Sequence, residues 1–366
     1  MPDVVMFGDT VRSPEMRHEV PVQVPDPLIY VERNGTRQVF ARSLELPRLA
    51  QIDGLEAISY EEIGMDELVA AGQQWHEADP ELVLRACRRV GVSRATVPRS
   101  FPVGIADHLR ANGVELEPDG EHFDRRRRSK TEAELAGISK AQRSCERAMR
   151  RVRELLGGGD VTCEELQAEI LRIFTEDGLT APDGLIASHG PQTAIGHEPG
   201  SGTIVPGEPV VVDIYPLDPD SGCFTDMTRT FCIGEPPAEL VEYHRLCQEA
   251  LSRVVPVVRP GVTGKELYEL AAKVFEDAGF PTQRTKEPGQ VLDEGFFHSL
   301  GHGVGLEVHE LPLLGRNGKE LVAGDVVTLE PGCYRPGFGG CRLEDIVLVT
   351  EDGCEVLTDF PYDLEV

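Results

Sequence analysis

Thr162–Leu179 (TCEELQAEILRIFTEDGL) and Thr263–Phe280 (TGKELYELAAKVFEDAGF) share Thr, Glu, Leu, Phe and Gly at a constant offset of 101 residues. This duplication limits what the second part of the chain can fold into more than any other feature. Each copy opens with Thr followed three residues later by Glu, a capping box, and stops at Gly, so each reads as one capped helix. The repeat continues in the same order. Ser188–Pro199 (SHGPQTAIGHEP) matches Gly301–Pro312 (GHGVGLEVHELP), and Pro206–Asp213 (PGEPVVVD) matches Ala323–Glu330 (AGDVVTLE). Three ordered matches predict two copies of a half-domain packed about a pseudo-two-fold axis.

Carboxylates sit at the ends of the repeated strands. The apolar run Val210–Val212 meets Asp213, the turn-formers Asp218–Gly222 reverse the chain, and a second strand climbs through Asp226 to Phe231. A loop of two or four residues would set Asp213 opposite Asp226, with Cβ atoms about 4.5–5.5 Å apart. Two ionised carboxylates that close in an apolar sheet repel unless a cation neutralises them. The repeat aligns Asp213 with Glu330, and Arg342-Leu343-Glu344 arrives near the place of Asp226. Four carboxylates, Asp213, Asp226, Glu330 and Glu344, are therefore expected to converge on the axis.

The imidazole candidate beside them is His302, whose neighbours Gly301 and Gly303 let the backbone fold closely around a ligand. Four carboxylates and one imidazole suit two divalent ions roughly 3.5–4 Å apart. Such mixed donors favour manganese, cobalt, iron or zinc over calcium. Water held between two ions loses a proton near neutral pH, since one zinc alone can bring its pKa to about 7, and the hydroxide attacks a carbonyl. His197 and His309, each followed by Glu and matched across the repeat, are then left to hydrogen-bond a substrate carbonyl and its tetrahedral intermediate. His189, the repeat partner of His302, reads as non-ligating, and no pattern supports His244 or His298.

Ahead of this duplicated region, residues 1–124 alternate strand and helix patterns. Pro27–Glu32 and Gln38–Ser43 flank Asn34-Gly35, a hairpin signal. Helical segments follow around Met65–Gln73 and Pro80–Val90, with strands near Ala95–Val97 and Val114–Leu116. Residues 125–130, with the basic run Arg125–Arg128, read as a linker or as internal charge partners. The capping box Thr131/Glu134 then starts a long helix that ends at Gly157–Gly159. A net charge of −27 argues against nucleic acid or an anionic membrane as partner. No run approaches the ~18 apolar residues of a membrane span. The N-terminus carries no export pattern, and nine cysteines without zinc-type spacing suit a reducing cytoplasm.

From Thr131 to its end the chain resembles the pita-bread metallopeptidases, peptidase family M24, which include methionine aminopeptidase, aminopeptidase P and prolidase. Residues 1–124 are similar to the N-terminal domain of the latter two and of creatinase. The stretches that carry the resemblance are TDMTRTF at Asp226, HSLGHGVGLEVHE at His302 and His309, TLEPGCY at Glu330 and CRLEDIVLVT at Glu344. The fold class implied is α/β (α+β), a small creatinase-type domain followed by a pseudo-two-fold pita-bread domain over residues 131–366.

The resemblance further implies that Asp213 binds one ion, that Asp226 and Glu344 bridge both, and that His302 and Glu330 hold the other. Glu330 would also shuttle the proton, while His197, His309 and Arg342 position substrate and intermediate. Two departures stand out. The spacing from Asp213 to Asp226 is two residues longer than the family pattern, assigned to the turn at Pro219 and Asp220, and His189 replaces a small residue. The implied activity is that of a cytoplasmic, homodimeric, manganese-favouring exopeptidase that cleaves next to proline in peptides, as an Xaa-Pro aminopeptidase. The alternative is prolidase, an Xaa-Pro dipeptidase; a creatinase-like hydrolase, a small-substrate lyase and a non-catalytic binding protein on the same fold are remote. A dipeptidase needs a group for the free carboxylate of its substrate, and no residue of the sequence declares itself as that group.

Overall fold

In the computed structural model, which describes residues 2–366, β1 (Val4–Gly8) pairs antiparallel with β2 (Leu28–Arg33), and β2 with β3 (Thr36–Ala41). Asn34 and Gly35 join the latter two with φ of 51° and 80°, the two left-handed positions that a two-residue hairpin loop requires. β4 (Leu55–Ser59), β5 (Arg94–Val97) and β6 (Glu115–Pro118) complete a mixed sheet of order β4-β3-β2-β1-β5-β6. Alternate residues of its inner strands feed two apolar clusters. Val5, Ile29, Val31 and Phe40 join Leu82, Val83 and Ala86 of one helix, while Val4, Met6, Tyr30 and Val39 face the other way. That helix starts earlier than the apolar pattern suggests, at Trp75, because the Gln74 N–H donates to the Glu77 carboxylate at 2.8 Å and caps it.

The arginine run is not a linker. Arg125–Arg128 form the last turn of a helix, Gly120–Arg128, held by acidic partners both within the helix and distant in sequence. Arg125 pairs with Glu121, Arg127 with Asp124, and Arg126 with both Glu19 and Glu32 at 2.7 and 2.6 Å. The chain divides into two compact units between Arg127 and Arg128.

The second unit contains the duplication. Helices Cys163–Glu176 and Gly264–Asp277 have the same length of 14 residues and the same reciprocal caps, Thr162 with Glu165 and Thr263 with Glu266. In the first half β7 (Ile186–His189), β8 (Pro209–Ile214) and β11 (Met227–Cys232) form an antiparallel sheet of order β11-β8-β7, with β9 (Leu217–Asp218) and β10 (Cys223–Phe224) as a separate small ladder. In the second half β12 (Gly301–Gly303), β13 (Glu310–Leu314), β14 (Val326–Leu329), β17 (Asp345–Val349) and β18 (Cys354–Val356) follow the order β13-β12-β14-β17-β18. β15 (Gly332–Arg335) and β16 (Gly339–Arg342) pair with each other. Thus β7-β8-β11 repeats as β12-β14-β17. The halves meet along β11, where the Glu344 N–H donates to the Thr228 carbonyl at 3.0 Å and the Arg342 N–H to Thr230 Oγ1 at 3.0 Å. No helix among the described residues is long and apolar enough to cross a membrane.

The expected pairing of Asp213 with Asp226 is replaced by another. Asp213 lies opposite Thr228, and Asp226 sits just before β11. The reason is the small ladder. β8 ends at Ile214, Leu217 and Asp218 pair with Phe224 and Cys223, and the turn at 219–222 is closed by Asp218, which accepts from Ser221 N–H at 3.0 Å and from Lys140 at 2.6 Å. Pro219 and Asp220 occupy that turn. The two halves also differ in register. Val212, aligned with Leu329, pairs with Arg229, three residues beyond Asp226, whereas Leu329 pairs with Asp345, one residue beyond Glu344.

Candidate metal centre

Strand β8 delivers Asp213, the approach to β11 delivers Asp226, and β12 delivers His302. Glu330 follows β14, and Glu344 lies between β16 and β17. All five line one cleft of about 600 Å³ together with His197, His309 and Arg342. The glycines flanking His302 are there for close backbone approach. A Cβ on Gly301 would lie 2.1 Å from the Thr328 carbonyl oxygen, and one on Gly303 2.4 Å from that of Leu311, so only glycine lets β12 enter between its neighbours.

The donor atoms of Asp226, His302 and Glu344 lie within 4.8 Å of one another. His302 Nε2 stands 3.8 Å from Asp226 Oδ2 and 3.5 Å from Glu330 Oε1. Its Nδ1 is 3.1 Å from the Gly303 carbonyl oxygen. A carbonyl can only accept, so Nδ1 carries the proton and Nε2 turns a lone pair toward the carboxylates. Burial, with His309 close by, lowers the His302 pKa to about 4, so the ring is neutral at pH 7. A lone pair aimed at carboxylates is repulsive unless a cation lies between them.

The carboxylates make the same point. Glu344 Oε2 accepts from Thr228 Oγ1 at 2.7 Å and Asp213 Oδ2 from Arg342 Nη2 at 2.5 Å. Asp213 Oδ1 and Asp226 Oδ1 are buried without a hydrogen-bond partner, a costly arrangement for anions. Burial and then the neighbouring acids hold Asp226 and Glu344 well above the usual carboxylate range. Desolvation, aided by Asp213 and opposed by Arg342, raises Glu330 to about 8. With no cation the cluster would keep protons at neutral pH; divalent ions let every member ionise. Oxygen donors with one imidazole fit manganese, cobalt, iron or zinc.

Toward the mouth of the cleft the His309 ring centroid lies 4.2 Å from that of His302. Burial, and then the proximity of His197, lowers the His309 pKa. Arg342 is held rigidly: besides Asp213 it donates to Tyr334 Oη at 3.0 Å and to Thr228 Oγ1 at 3.2 Å.

The pattern in the sequence missed several lining residues, among them Asp183, Tyr215, Phe297, His298, Leu313 and Tyr334. His298 Nδ1 donates to the Ser299 carbonyl at 2.7 Å, which leaves Nε2 to accept from Tyr334 Oη at 3.1 Å. It lies only four residues before His302, but in an irregular segment with no repeat counterpart, so internal symmetry could not pick it out. His189 pairs with Glu208 at 2.7 Å and, like His244, lies outside the cleft lining.

The model of metallopeptidase family M24 matches residues 136–351. Over 274 residues the chain is 32% identical to the Xaa-Pro dipeptidase of Pyrococcus horikoshii, covering 73% of this chain and 74% of that protein. It is 35% identical over 242 residues to a Mycobacterium tuberculosis protein named "Probable dipeptidase PepE", covering 66% of this chain but 61% of that one. The match thus spans about three fifths of the PepE length. In three dimensions the chain superposes on a Bacillus anthracis Xaa-Pro dipeptidase with a TM-score of 0.82 at 22% identity, covering 100% of this chain and 95% of the other. With the Pyrococcus horikoshii prolidase the TM-score is 0.79 at 25% identity, covering 100% and 95%. The fold is the expected creatinase-type domain followed by a pita-bread domain, and the chain belongs to metallopeptidase family M24.

Proposed function

We propose that this protein is a prolidase-type enzyme, a metal-dependent hydrolase of Xaa-Pro dipeptides. The observation that carries the reading is the neutral His302 imidazole aimed into four carboxylates that cannot all ionise without cations. The dipeptidase reading is preferred to the aminopeptidase one because both relatives named above at more than 30% identity are dipeptidases by name.

In this reading Asp213, Asp226, His302, Glu330 and Glu344 would hold the divalent ions, manganese being favoured. Bound there, the ions supply Lewis acidity and water activated near neutral pH. Glu330 carries the proton from the attacking water to the departing proline nitrogen. His309 and His197, at the mouth, donate to the substrate carbonyl oxygen as it gains charge. Arg342 keeps Asp213 in one orientation through the 2.5 Å contact. Phe297, Leu313 and Tyr334 supply apolar surface for the pyrrolidine ring and keep water out.

The test is hydrolysis of Ala-Pro, Gly-Pro and Ala-Pro-Ala by chelator-stripped protein with manganese, cobalt or zinc restored singly. Dipeptide turnover that returns with metal, with the tripeptide left intact, is expected. Comparable turnover of the tripeptide would reinstate the aminopeptidase reading. Inactivity on all three, despite bound metal, would remove the proline specificity. His309→Ala is expected to lower kcat by about 10²-fold with metal content unchanged after dialysis; loss of metal from this variant would instead make His309 a ligand.

A further inference from the structure

Both halves of the second unit line the cleft. The first half contributes Asp183, His197, Asp213 and Tyr215, and the second contributes Phe297, Val308, Leu313 and Tyr334. The second half also contributes His302, His309, Glu330, Arg342 and Glu344, so both halves are polar where the carboxylates meet, while Phe297, Val308 and Leu313 come from the second half alone. Among the carboxylates of the cleft Asp183 stands apart. It lies in the loop between the helix Cys163–Glu176 and β7, it is exposed, and it lines the cleft. Among the described residues no hydrogen bond or ion pair engages its carboxylate, whereas Asp213 is paired with Arg342 and Glu344 with Thr228. Its charge acts on Tyr215 and on His309, so it looks into the cleft between the strand that bears Asp213 and the histidines at the mouth.

Pairing separates Asp183 from the metal centre. Asp213, Asp226, Glu330 and Glu344 would face the divalent ions, and the arginine of the cleft, Arg342, is bonded to Asp213 at 2.5 Å. Asp183 is a fifth carboxylate on the same cleft with no cation of the protein assigned to it. A dipeptide with neutral side chains brings one cation, its α-ammonium group, and its proline ring calls for an apolar surface.

We infer that Asp183 receives the substrate α-ammonium, so that the amino-terminal residue lies along the Asp213–Tyr215 wall and the proline ring against Phe297, Leu313 and Tyr334. Asp183 is then the specificity residue that makes the enzyme an exopeptidase for free amino termini. The inference rests on the dipeptidase reading above.

Steady-state kinetics of metal-loaded wild type, Asp183→Asn and Asp183→Glu on Ala-Pro and on Nα-acetyl-Ala-Pro test it. A charge-assisted hydrogen bond lost to a cationic group raises KM by about tenfold, so Asp183→Asn is expected to raise the KM for Ala-Pro by that amount, with a smaller change in kcat. The kinetics of the acetylated substrate are expected to be the same in wild type and Asp183→Asn, and Asp183→Glu to recover most of the loss. Wild-type KM for Ala-Pro is expected to rise as pH passes the α-amino pKa of about 7.7–8.0, and Asp183→Asn to lose that rise. An unchanged KM for Ala-Pro, or equal changes with both substrates, would overturn the assignment. If wild type turns over no Xaa-Pro dipeptide, the dipeptidase reading itself fails and takes the assignment with it.

Discussion

Replacing Glu344 with alanine is expected to abolish metal binding and peptidase activity together, with kcat lower by on the order of 10³-fold or more, the value of several kcal/mol of metal-derived stabilisation. Asp226→Ala should behave alike. Both carboxylates are buried, at 2% and 4% exposure, and both belong to the group whose donor atoms lie within 4.8 Å, so no neighbouring side chain can take their place. The fold should survive the change. In metal-free protein burial, and then the neighbouring acids, hold both above their ordinary pKa, a cost of folding at neutral pH that removing one of them lessens. Chelator-stripped Glu344→Ala is therefore expected to melt no lower than chelator-stripped wild type, while wild type alone gains stability from added manganese. Metal analysis, kcat and melting curves on the same samples decide the matter. A variant that keeps both its metal and its turnover would move the reaction elsewhere in the molecule.

Arg229→Ala is expected to cost about 3–5 kcal/mol of stability, the penalty for leaving a buried charge unpaired. Arg229 is 1% exposed and spends all five of its donors. Nη2 bonds to Asp345 Oδ1 at 2.8 Å and to the Phe360 carbonyl at 2.9 Å, Nη1 to the carbonyls of Glu344 at 2.7 Å and Thr228 at 2.9 Å, and Nε to that of Pro361 at 3.1 Å. Its guanidinium also lies 4.7 Å from the Tyr362 ring centre. Without it, Asp345, at 1% exposure, keeps only the hydroxyl of Tyr362 as a side-chain partner among the described residues. In a unit of this size the loss corresponds to a fall in Tm on the order of 10 °C. Arg229→Lys should recover little, since an ammonium cannot reproduce a planar fork of five donors. A melting point within about 2 °C of wild type would show that the C-terminal segment is held to the strand next to Glu344 by something else.

Features set within a few residues are legible in the sequence itself. Thr162/Glu165 and Thr263/Glu266 cap their helices through side chain to backbone bonds inside one turn, and Asn34-Gly35 closes its hairpin by its own left-handed φ values. The duplication is legible because each half must bury the same faces, and with it the convergence of Asp213, Asp226, His302, Glu330 and Glu344 on one cleft. What tertiary structure alone decided is of another kind. The pairing of Asp213 with Thr228 depends on a two-strand ladder inserted between β8 and β11, whose closure by Lys140 comes from a distant helix. The helical ending of the arginine run depends on Glu19 and Glu32, far away in sequence. His298, Tyr334 and Asp183 enter the cleft from irregular or unduplicated segments, where neither periodicity nor internal symmetry marks a residue. Local capping, turn chemistry and repetition are written along the chain, whereas register, charge pairing across elements and the full lining of the cleft exist only once the halves pack, because each depends on which distant groups share a desolvated space.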